Sequence, residues 1–223
     1  MNLNDMHRRL LADVLAIGTP YPLVITGGYA VQAHGLVNRV SQDLDVATEN
    51  PAPMAEIIRT VSDGLAERGW AVRQIETDPL SGRLVITDPA SGEECEVDIL
   101  KEAFWAPPTK TEYGPVLSLD DVIGTKVRAL ADRGAVRDLI DVHAASRHRT
   151  NADLESLGRR HARFDFNLHD LRDRLVGADW WDDRDYADYD LSPTQITDLR
   201  AWALAWATDL DARLRAEDPP DDE

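Results

Sequence analysis

The chain is poor in cysteine, in long apolar runs and in basic residues. Its one cysteine, Cys95, excludes an internal disulfide and predicts a cytoplasmic location. The N-terminus lacks the apolar core of a signal peptide, and no run approaches the length of a membrane span, so we expect no membrane partner. The 24 Lys and Arg are outnumbered by 41 Asp and Glu, for a net charge of −17. That balance argues against a simple nucleic-acid binder, and no His or Cys spacing indicates zinc.

The chain is otherwise typical of a soluble globular protein, with 223 residues, 43% hydrophobic and 29% charged. Its charge is unevenly distributed. Residues 126–163 contain nine Lys and Arg against five acids, whereas residues 150–223 contain nine Arg against nineteen acids. A locally basic segment in an acidic chain is consistent with an anionic ligand, but charge alone leaves a solvated helix surface open.

The most informative feature is a glycine pair followed by two closely spaced aspartates. Gly27 and Gly28 close an apolar run and open a short helix, where backbone N–H groups can approach phosphate. Asp43 and Asp45 follow in Ser-Gln-Asp-Leu-Asp-Val on a predicted strand, where residues two apart share one face. Two adjacent carboxylates repel each other unless a cation lies between them, and oxygen ligands suit Mg²⁺. The combination predicts nucleotidyl transfer.

The pattern alternates between strands and helices in the first half and is helical in the second. The predicted strands are Leu23–Thr26, Asp43–Ala47, Ala71–Ile75, Arg83–Thr87 and Glu94–Leu100. The predicted helices are Asn4–Ala16, Tyr29–His34, Pro53–Arg68, Leu119–Asp132, Val136–Arg147, Ala152–Arg163, Leu168–Val176 and one that starts at Pro193 with Ser192 as its cap. These elements predict a catalytic domain over 1–106, a helical domain over 107–216 and a disordered acidic tail over 217–223.

The motifs of the second half resemble those of the AbiEii/AbiGii toxin family. A helix over 119–130 contains Lys126, then comes Arg133, and an Arg-Asp-x-x-Asp segment places Asp138 and Asp141 on the next helix. The resemblance covers roughly residues 20–145. It implies the nucleotidyltransferase fold of the polymerase-β superfamily, which is an α/β (α+β) fold with a mixed sheet, flanking helices and a helical C-terminal domain.

The resemblance also implies a set of site residues and ligands. The expected catalytic residues are Asp43, Asp45, Asp98, Lys126 and Asp138. The expected nucleotide-binding residues are Thr26, Gly27, Gly28, Ser41 and Lys126. Asp43, Asp45 and Asp98 are the expected metal ligands, for Mg²⁺ or alternatively Mn²⁺. Many superfamily members have Gly-Ser where this chain has Gly-Gly, so the serine's phosphate contact is either missing or supplied by Thr26 or Ser41.

Several of these residues have a structural alternative. Lys126 has apolar neighbours three and four residues away, so it either meets an anion or extends its amine to water. Asp138 is expected to orient Lys126 or the nucleotide, whereas Asp141 is also spaced for an ordinary ion pair with Arg137. Asp98 either completes the metal site or activates the acceptor hydroxyl. The remaining candidates are expected to pack rather than react, namely His34, Cys95, Trp202 and Trp206.

Three functions remain open at this stage. The first is a metal-dependent nucleotidyltransferase toxin that moves an NMP from an NTP onto tRNA or another RNA 3′ end, with a cognate antitoxin as partner. The second is a small-molecule nucleotidyltransferase of the antibiotic-modifying kind. The third is a non-catalytic nucleotide-binding regulator, against which the intact Asp43 and Asp45 pair argues.

Overall fold

The computed structural model describes residues 1–39 and 41–217, which fall into two compact units. The first unit is Met1–Val122 and the second begins at Ile123, so that the division lies within one helix. The predicted division after residue 106 therefore falls inside the first unit. The predicted acidic tail lies outside the described residues, apart from Glu217, where the last helix ends.

The order of elements follows the predicted alternation closely. The strands are β1 (Val24–Ile25), β2 (Leu44–Thr48), β3 (Ala71–Asp78), β4 (Ser81–Thr87), β5 (Glu94–Lys101), β6 (Thr109–Thr111) and β7 (Gly114–Val116). The helices are α1 (Asp5–Ile17), α2 (Gly27–Ala33), α3 (Met54–Glu67), α4 (Leu119–Arg133), α5 (Val136–Ala145), α6 (Asn151–Arg160), α7 (Leu168–Val176), α8 (Asp183–Ala187) and α9 (Pro193–Glu217), with a 3₁₀ turn at Gly177–Asp179. The sequence did not predict β6, β7, α8 or the 3₁₀ turn.

The first unit contains a mixed sheet of seven strands in the order β3-β4-β5-β2-β1-β7-β6. Strands β2 and β5 are parallel, as are β1 and β7, whereas the other neighbours are antiparallel. The parallel pairing of β2 with β5 places the strand over Glu94–Lys101 beside the strand that contains Asp45. Because β6 and β7 extend this sheet, residues 109–116 belong to the sheet rather than to a helical domain.

Helices α1 and α3 pack on each other, and α3 packs on β3 and β4. Their contact faces are apolar at helical spacing, with Leu10, Val14, Ile57 and Val61 all at most 1% exposed. The packing is close enough to require glycine in β4, since a Cβ atom on Gly82 would lie 2.4 Å from the Ile58 side chain. This core fixes the sheet on which the aspartates lie.

The second unit is built from helices around α9. The long α9 packs on α5, α7, α8 and the 3₁₀ turn. Trp206 is 1% exposed, and its indole Nε1–H donates to Glu155 of α6 at 3.0 Å. Trp202 contacts both Trp206 and His143 through its ring, so the tryptophans of α9 pack as predicted. Within residues 1–39 and 41–217, no helix is both long and apolar enough to cross a membrane.

Candidate active site

Asp43 and Asp45 lie at the N-terminal end of β2. Asp45 is the second residue of the strand and Asp43 immediately precedes it. Both are half-buried, whereas Leu44 and Val46 between and beyond them are at most 1% exposed. The alternation of buried apolar residues and half-buried acids therefore holds as predicted. That two carboxylates share one face stays a prediction from this alternation.

The glycine turn lies directly against these carboxylates. Gly27 has φ +60°, and a Cβ atom there would lie 1.9 Å from Oδ2 of Asp45, so only glycine fits. Thr26 is the N-cap of α2, makes no side-chain cap and donates its backbone N–H to the Asp45 carbonyl at 2.9 Å. A Cβ atom on Gly28 would lie 2.4 Å from Oγ of Ser41 and 3.7 Å from Nη1 of Arg39. The structure thus brings together Thr26, both glycines, Ser41 and Asp45.

The third predicted carboxylate, Asp98, lies next to Asp45 but has a partner of its own. Asp45 and Asp98 are opposite each other in the parallel pairing of β2 and β5. Both oxygens of Asp98 accept hydrogen bonds at 2.7 Å from the guanidinium of Arg83 on β4. Among the described residues, no group of three or more His, Cys, Asp or Glu is arranged to hold a metal ion.

Arg83 is a residue that the sequence did not single out. Its guanidinium also lies 3.4 Å from Glu96, and the hydrogen bond to Asp98 raises the pKa of Arg83 further above its ordinary value. The sequence placed Arg83 in a predicted strand and indicated nothing more about it. Its contact with Asp98 depends on the register in which β4 and β5 pair, which residue spacing alone does not predict.

Two buried side chains, Tyr29 and His7, hold the loop before β2 in place. The backbone oxygen of Ser41 in this loop accepts a hydrogen bond from the Tyr29 hydroxyl at 3.1 Å. His7 of α1 lies 2.6 Å from that hydroxyl through Nδ1, which must be the donor since the hydroxyl proton is already used. Burial lowers the pKa of His7, which Asp43 and Glu93 oppose, and burial raises the pKa of Tyr29. Both groups are therefore neutral near pH 7 and position the loop.

Cys95 packs beneath the same loop. It is 2% exposed, and its thiol lies 3.2 Å from the Glu96 carbonyl and 3.8 Å from the Gln42 carbonyl. Burial, together with the charges of Asp43 and Asp45, raises the pKa of the Cys95 thiol to about 12. The expectation of a packed thiol rather than a reactive one is consistent with this environment.

Lys126 belongs to a buried cluster of charges in the second unit. It is 8% exposed, so its amine does not extend into water. Nζ of Lys126 lies 2.8 Å from Asp141 and 3.7 Å from Asp138, and the side chains of both acids are 0% exposed. The guanidinium of Arg133 donates two hydrogen bonds, of 2.7 and 3.0 Å, to the carboxylate of Asp138. Lys126 and Arg133 are therefore joined to Asp138 and Asp141 in one buried cluster.

The closer partner of Lys126 is Asp141 rather than Asp138. The sequence favoured Asp138 to orient the lysine and left Asp141 open. Asp138 and Asp141 lie three residues apart on α5, and which of them reaches Lys126 depends on how α4 and α5 pack. Arg133 belongs to the motif that was recognised in the sequence, but its spacing from Asp138 did not predict that it would bind this carboxylate through two hydrogen bonds.

His34 has a structural contact, as expected. It is the C-cap residue of α2, and its Nε2 lies 2.7 Å from the carbonyl oxygen of Leu117, which directly follows β7. This hydrogen bond ties the end of the helix to the chain beside the sheet.

Comparison with family models matches residues 9–210 to the nucleotidyl transferase AbiEii toxins of type IV toxin–antitoxin systems. No curated protein matches the chain. The solved structure of JHP933 from Helicobacter pylori is similar, with a TM-score of 0.55 and 19% identity over 97% of this chain and 98% of that one. A candidate nucleotidyltransferase from H. pylori matches with a TM-score of 0.55 and 18% identity over 96% and 98% of the two chains. These likenesses confirm the predicted α+β fold.

Proposed function

Because the chain belongs to the family of AbiEii nucleotidyl transferase toxins, we propose that it moves a nucleoside monophosphate from an NTP to an RNA 3′ end and releases pyrophosphate. Nucleotidyl transfer is the activity of the family, and membership in a toxin–antitoxin family implies an antitoxin as partner. The donor, the metal, the acceptor and the leaving group are our proposal.

The observation that carries the proposal is the pair of Asp43 and Asp45 beside the glycine turn. Mg²⁺ in nucleotide sites is held by one or two carboxylates and completes its coordination with substrate phosphates and water. Two half-buried carboxylates, predicted to share one face, fit that donor set. Bound there, the metal would neutralise charge on the phosphates during in-line displacement.

The other residues of the first unit would position the substrate. The Gly27 turn lets the Asp45 carboxylate lie close to the start of α2, where backbone N–H groups would contact phosphate oxygens. Ser41 lies beside Gly28 and would supply the hydroxyl that a Gly-Ser motif supplies elsewhere. Asp98 is our candidate for the group that receives the proton of the acceptor hydroxyl. Lys126 as a phosphate ligand remains a prediction from the sequence.

The acceptor is proposed from a surface on the second unit. Helix α6 ends in Arg159 and Arg160, both exposed, and Arg163 follows, also exposed. Phe164 comes next and is 88% exposed. Exposed aromatic rings among arginines are typical of single-stranded nucleic-acid binding, because bases stack on the ring while the cations contact phosphate. This surface favours RNA over a small-molecule acceptor.

The test of the activity is transfer of α-labelled NTPs to total RNA and, separately, to a pool of small molecules. We expect label on RNA with Mg²⁺ for the wild type and at least a hundred-fold less for Asp45→Asn. Asp63→Asn on α3 is the matched control, since it makes the same change away from the site. Near wild-type transfer by Asp45→Asn would refute the metal pair, and label only on small molecules would refute the RNA acceptor.

The test of the surface is charge reversal at Arg159 and Arg160. The double change to Glu should weaken transfer to RNA at least ten-fold and weaken it further as salt rises, because phosphate contacts release counterions. The matched control, Arg184→Glu with Arg215→Glu, makes the same change of charge at exposed positions of the same unit. Equal losses in both variants would indicate an effect of net charge alone.

A further inference from the structure

We propose that Gln32 is a positioning residue for the nucleotide site, and that it sets the affinity for the triphosphate by fixing the backbone of the loop before β2. This inference rests on the proposed function, because it concerns how that loop and the glycine turn hold phosphate. Gln32 lies on α2 and is buried, so it acts through the loop rather than on the substrate.

The first step is the face of α2 that is turned toward the loop. Tyr29 and Gln32 are three residues apart on this helix and therefore lie on one face. The Tyr29 hydroxyl donates to the backbone oxygen of Ser41 at 3.1 Å, and Nε2 of Gln32 donates to the backbone oxygen of Arg39 at 2.6 Å. Two side chains of one helix thus hold the loop at two backbone oxygens.

The second step is the other end of the Gln32 amide. Its Oε1 accepts a hydrogen bond from the backbone N–H of Asn2 at 2.7 Å. The side chain of Asn2 donates in turn to Oδ1 of Asn38, also at 2.7 Å. An amide donates through its nitrogen and accepts through its oxygen, so turning the Gln32 amide over would lose both of its hydrogen bonds. One buried side chain therefore joins the residues before α1 to the loop before β2.

The third step is the place of the loop beside the glycine turn. A Cβ atom on Gly28 would lie 2.4 Å from Oγ of Ser41 and 3.7 Å from Nη1 of Arg39. The two residues whose backbone oxygens are held by α2 are thus the two whose side chains lie against Gly28. Both are 7% exposed. A shift of their backbone would therefore move a hydroxyl and a guanidinium at the turn that is proposed to bind phosphate.

The consequence is a loss of affinity rather than of turnover. Without the Gln32 amide, the Arg39 backbone oxygen loses its donor, and an acceptor left unpaired in a buried place disfavours the present conformation. Only the fraction of molecules with the loop in this conformation would bind phosphate tightly. Asp45 is held separately by the pairing of β2 with β5, so the chemical step should change little once the nucleotide is bound.

The experiment compares Gln32→Met with the wild type, because methionine has a similar length and makes neither hydrogen bond. Calorimetry with inorganic triphosphate and Mg²⁺ uses the group that every NTP shares, and we expect binding weaker by roughly ten-fold. Transfer of α-labelled NTPs should show a KM raised by a similar factor, with kcat within about three-fold of the wild type. Gln74→Met is the matched control, since Gln74 is an exposed glutamine of β3 with a local hydrogen bond to Thr77.

Two more variants test the two ends of the amide. Gln32→Glu retains an oxygen for the Asn2 N–H and places a second oxygen where the Arg39 carbonyl needs a donor, so we expect a loss at least as large as in Gln32→Met. Asn2→Ala removes the hydrogen bond to Asn38 but retains the backbone N–H, and should weaken binding by only about two-fold. Amide hydrogen exchange should rise in the loop before β2 and stay unchanged in β4 and β5.

The outcomes separate this inference from the proposed function. A wild type that neither binds triphosphate nor transfers nucleotide would overturn the proposed function itself. A wild type that does either, together with a Gln32→Met variant within about two-fold of it, would overturn the role of Gln32 alone. A loss confined to kcat, or exchange that rises equally throughout the first unit, would also overturn that role, since the effect would then be on the chemical step or on general stability.

Discussion

Replacing Lys126 with methionine separates a structural role of this lysine from a catalytic one. The Lys126 side chain is 10% exposed and lies 2.8 Å from an Asp141 side chain that is 0% exposed. Removing one partner of a buried ion pair costs about 3–5 kcal/mol, because the remaining charge stays buried. Arg133 still holds Asp138, so we expect a cost at the lower end of this range, about 3 kcal/mol.

The expected loss corresponds to a melting temperature lower by roughly 6–12 °C for a protein of this size. The apolar helical neighbours of Lys126 alone would predict a neutral or stabilising change, which is the opposite direction. Thermal unfolding followed by tryptophan fluorescence is suited to this measurement, since Trp206 is buried in the same unit. Lys110→Met is the control, because that lysine is exposed and its loss should change stability by less than about 0.5 kcal/mol.

A second change tests whether the cost comes from the pair. Asp141→Leu in the Lys126→Met background removes the buried carboxylate that faced Lys126 and should restore most of the lost stability, since apolar replacement of a buried ion pair is often neutral. Transfer activity should stay low in the restored variant if Lys126 contacts the phosphates. Melting of Lys126→Met within two degrees of the wild type would refute the buried pair, and activity retained by the double variant would make Lys126 purely structural.

Two further predictions concern the residues beneath the β2 loop. Cys95, with its pKa raised to about 12, should resist a thiol reagent at pH 8 in the native protein and react in urea, and rapid native labelling would contradict the burial. Tyr29→Phe removes the hydroxyl that joins His7 to Ser41, so we expect about 1–3 kcal/mol less stability in urea unfolding. Tyr113→Phe, a change at a half-buried tyrosine of the first unit, is its control, and equal losses in both would argue against the hydrogen-bonded chain.

Local patterns predicted the strand that carries the site. The alternation in Asp43-Leu44-Asp45 and in Glu94–Leu100 is set by strand geometry alone, so burial and facing could be inferred without the fold. The caps and ends of most helices were predicted within a few residues for the same reason. Strands β6 and β7 were not predicted, because each is three residues long, Pro107 and Pro108 precede β6, and Pro115 lies within β7. They are strands because β7 pairs with β1 and β6 pairs with β7.

Contacts that depend on register or on helix packing could not be predicted. Arg83 meets Asp98 because β4 and β5 pair in one register, and a shift of one residue would direct Arg83 to the other face. Lys126 meets Asp141 more closely than Asp138 although both acids face the same way along α5. The motifs therefore indicate which charged residues lie near one another, whereas the structure is needed to tell which of them contact each other.

The net charge of the chain does not determine which ligands it binds, because local charges dominate at each site. Exposed charges separated by more than about 8 Å are largely screened at physiological salt, so most of the excess acid has little effect on any one site. The charged contacts that matter are much shorter, at 2.7 Å between Arg83 and Asp98 and 2.8 Å between Lys126 and Asp141. An acidic protein can therefore bind polyanions wherever a fixed cation or a metal ion neutralises its own carboxylates first. On this argument, a change of one paired cation should alter ligand binding more than the removal of several acids from the exposed surface.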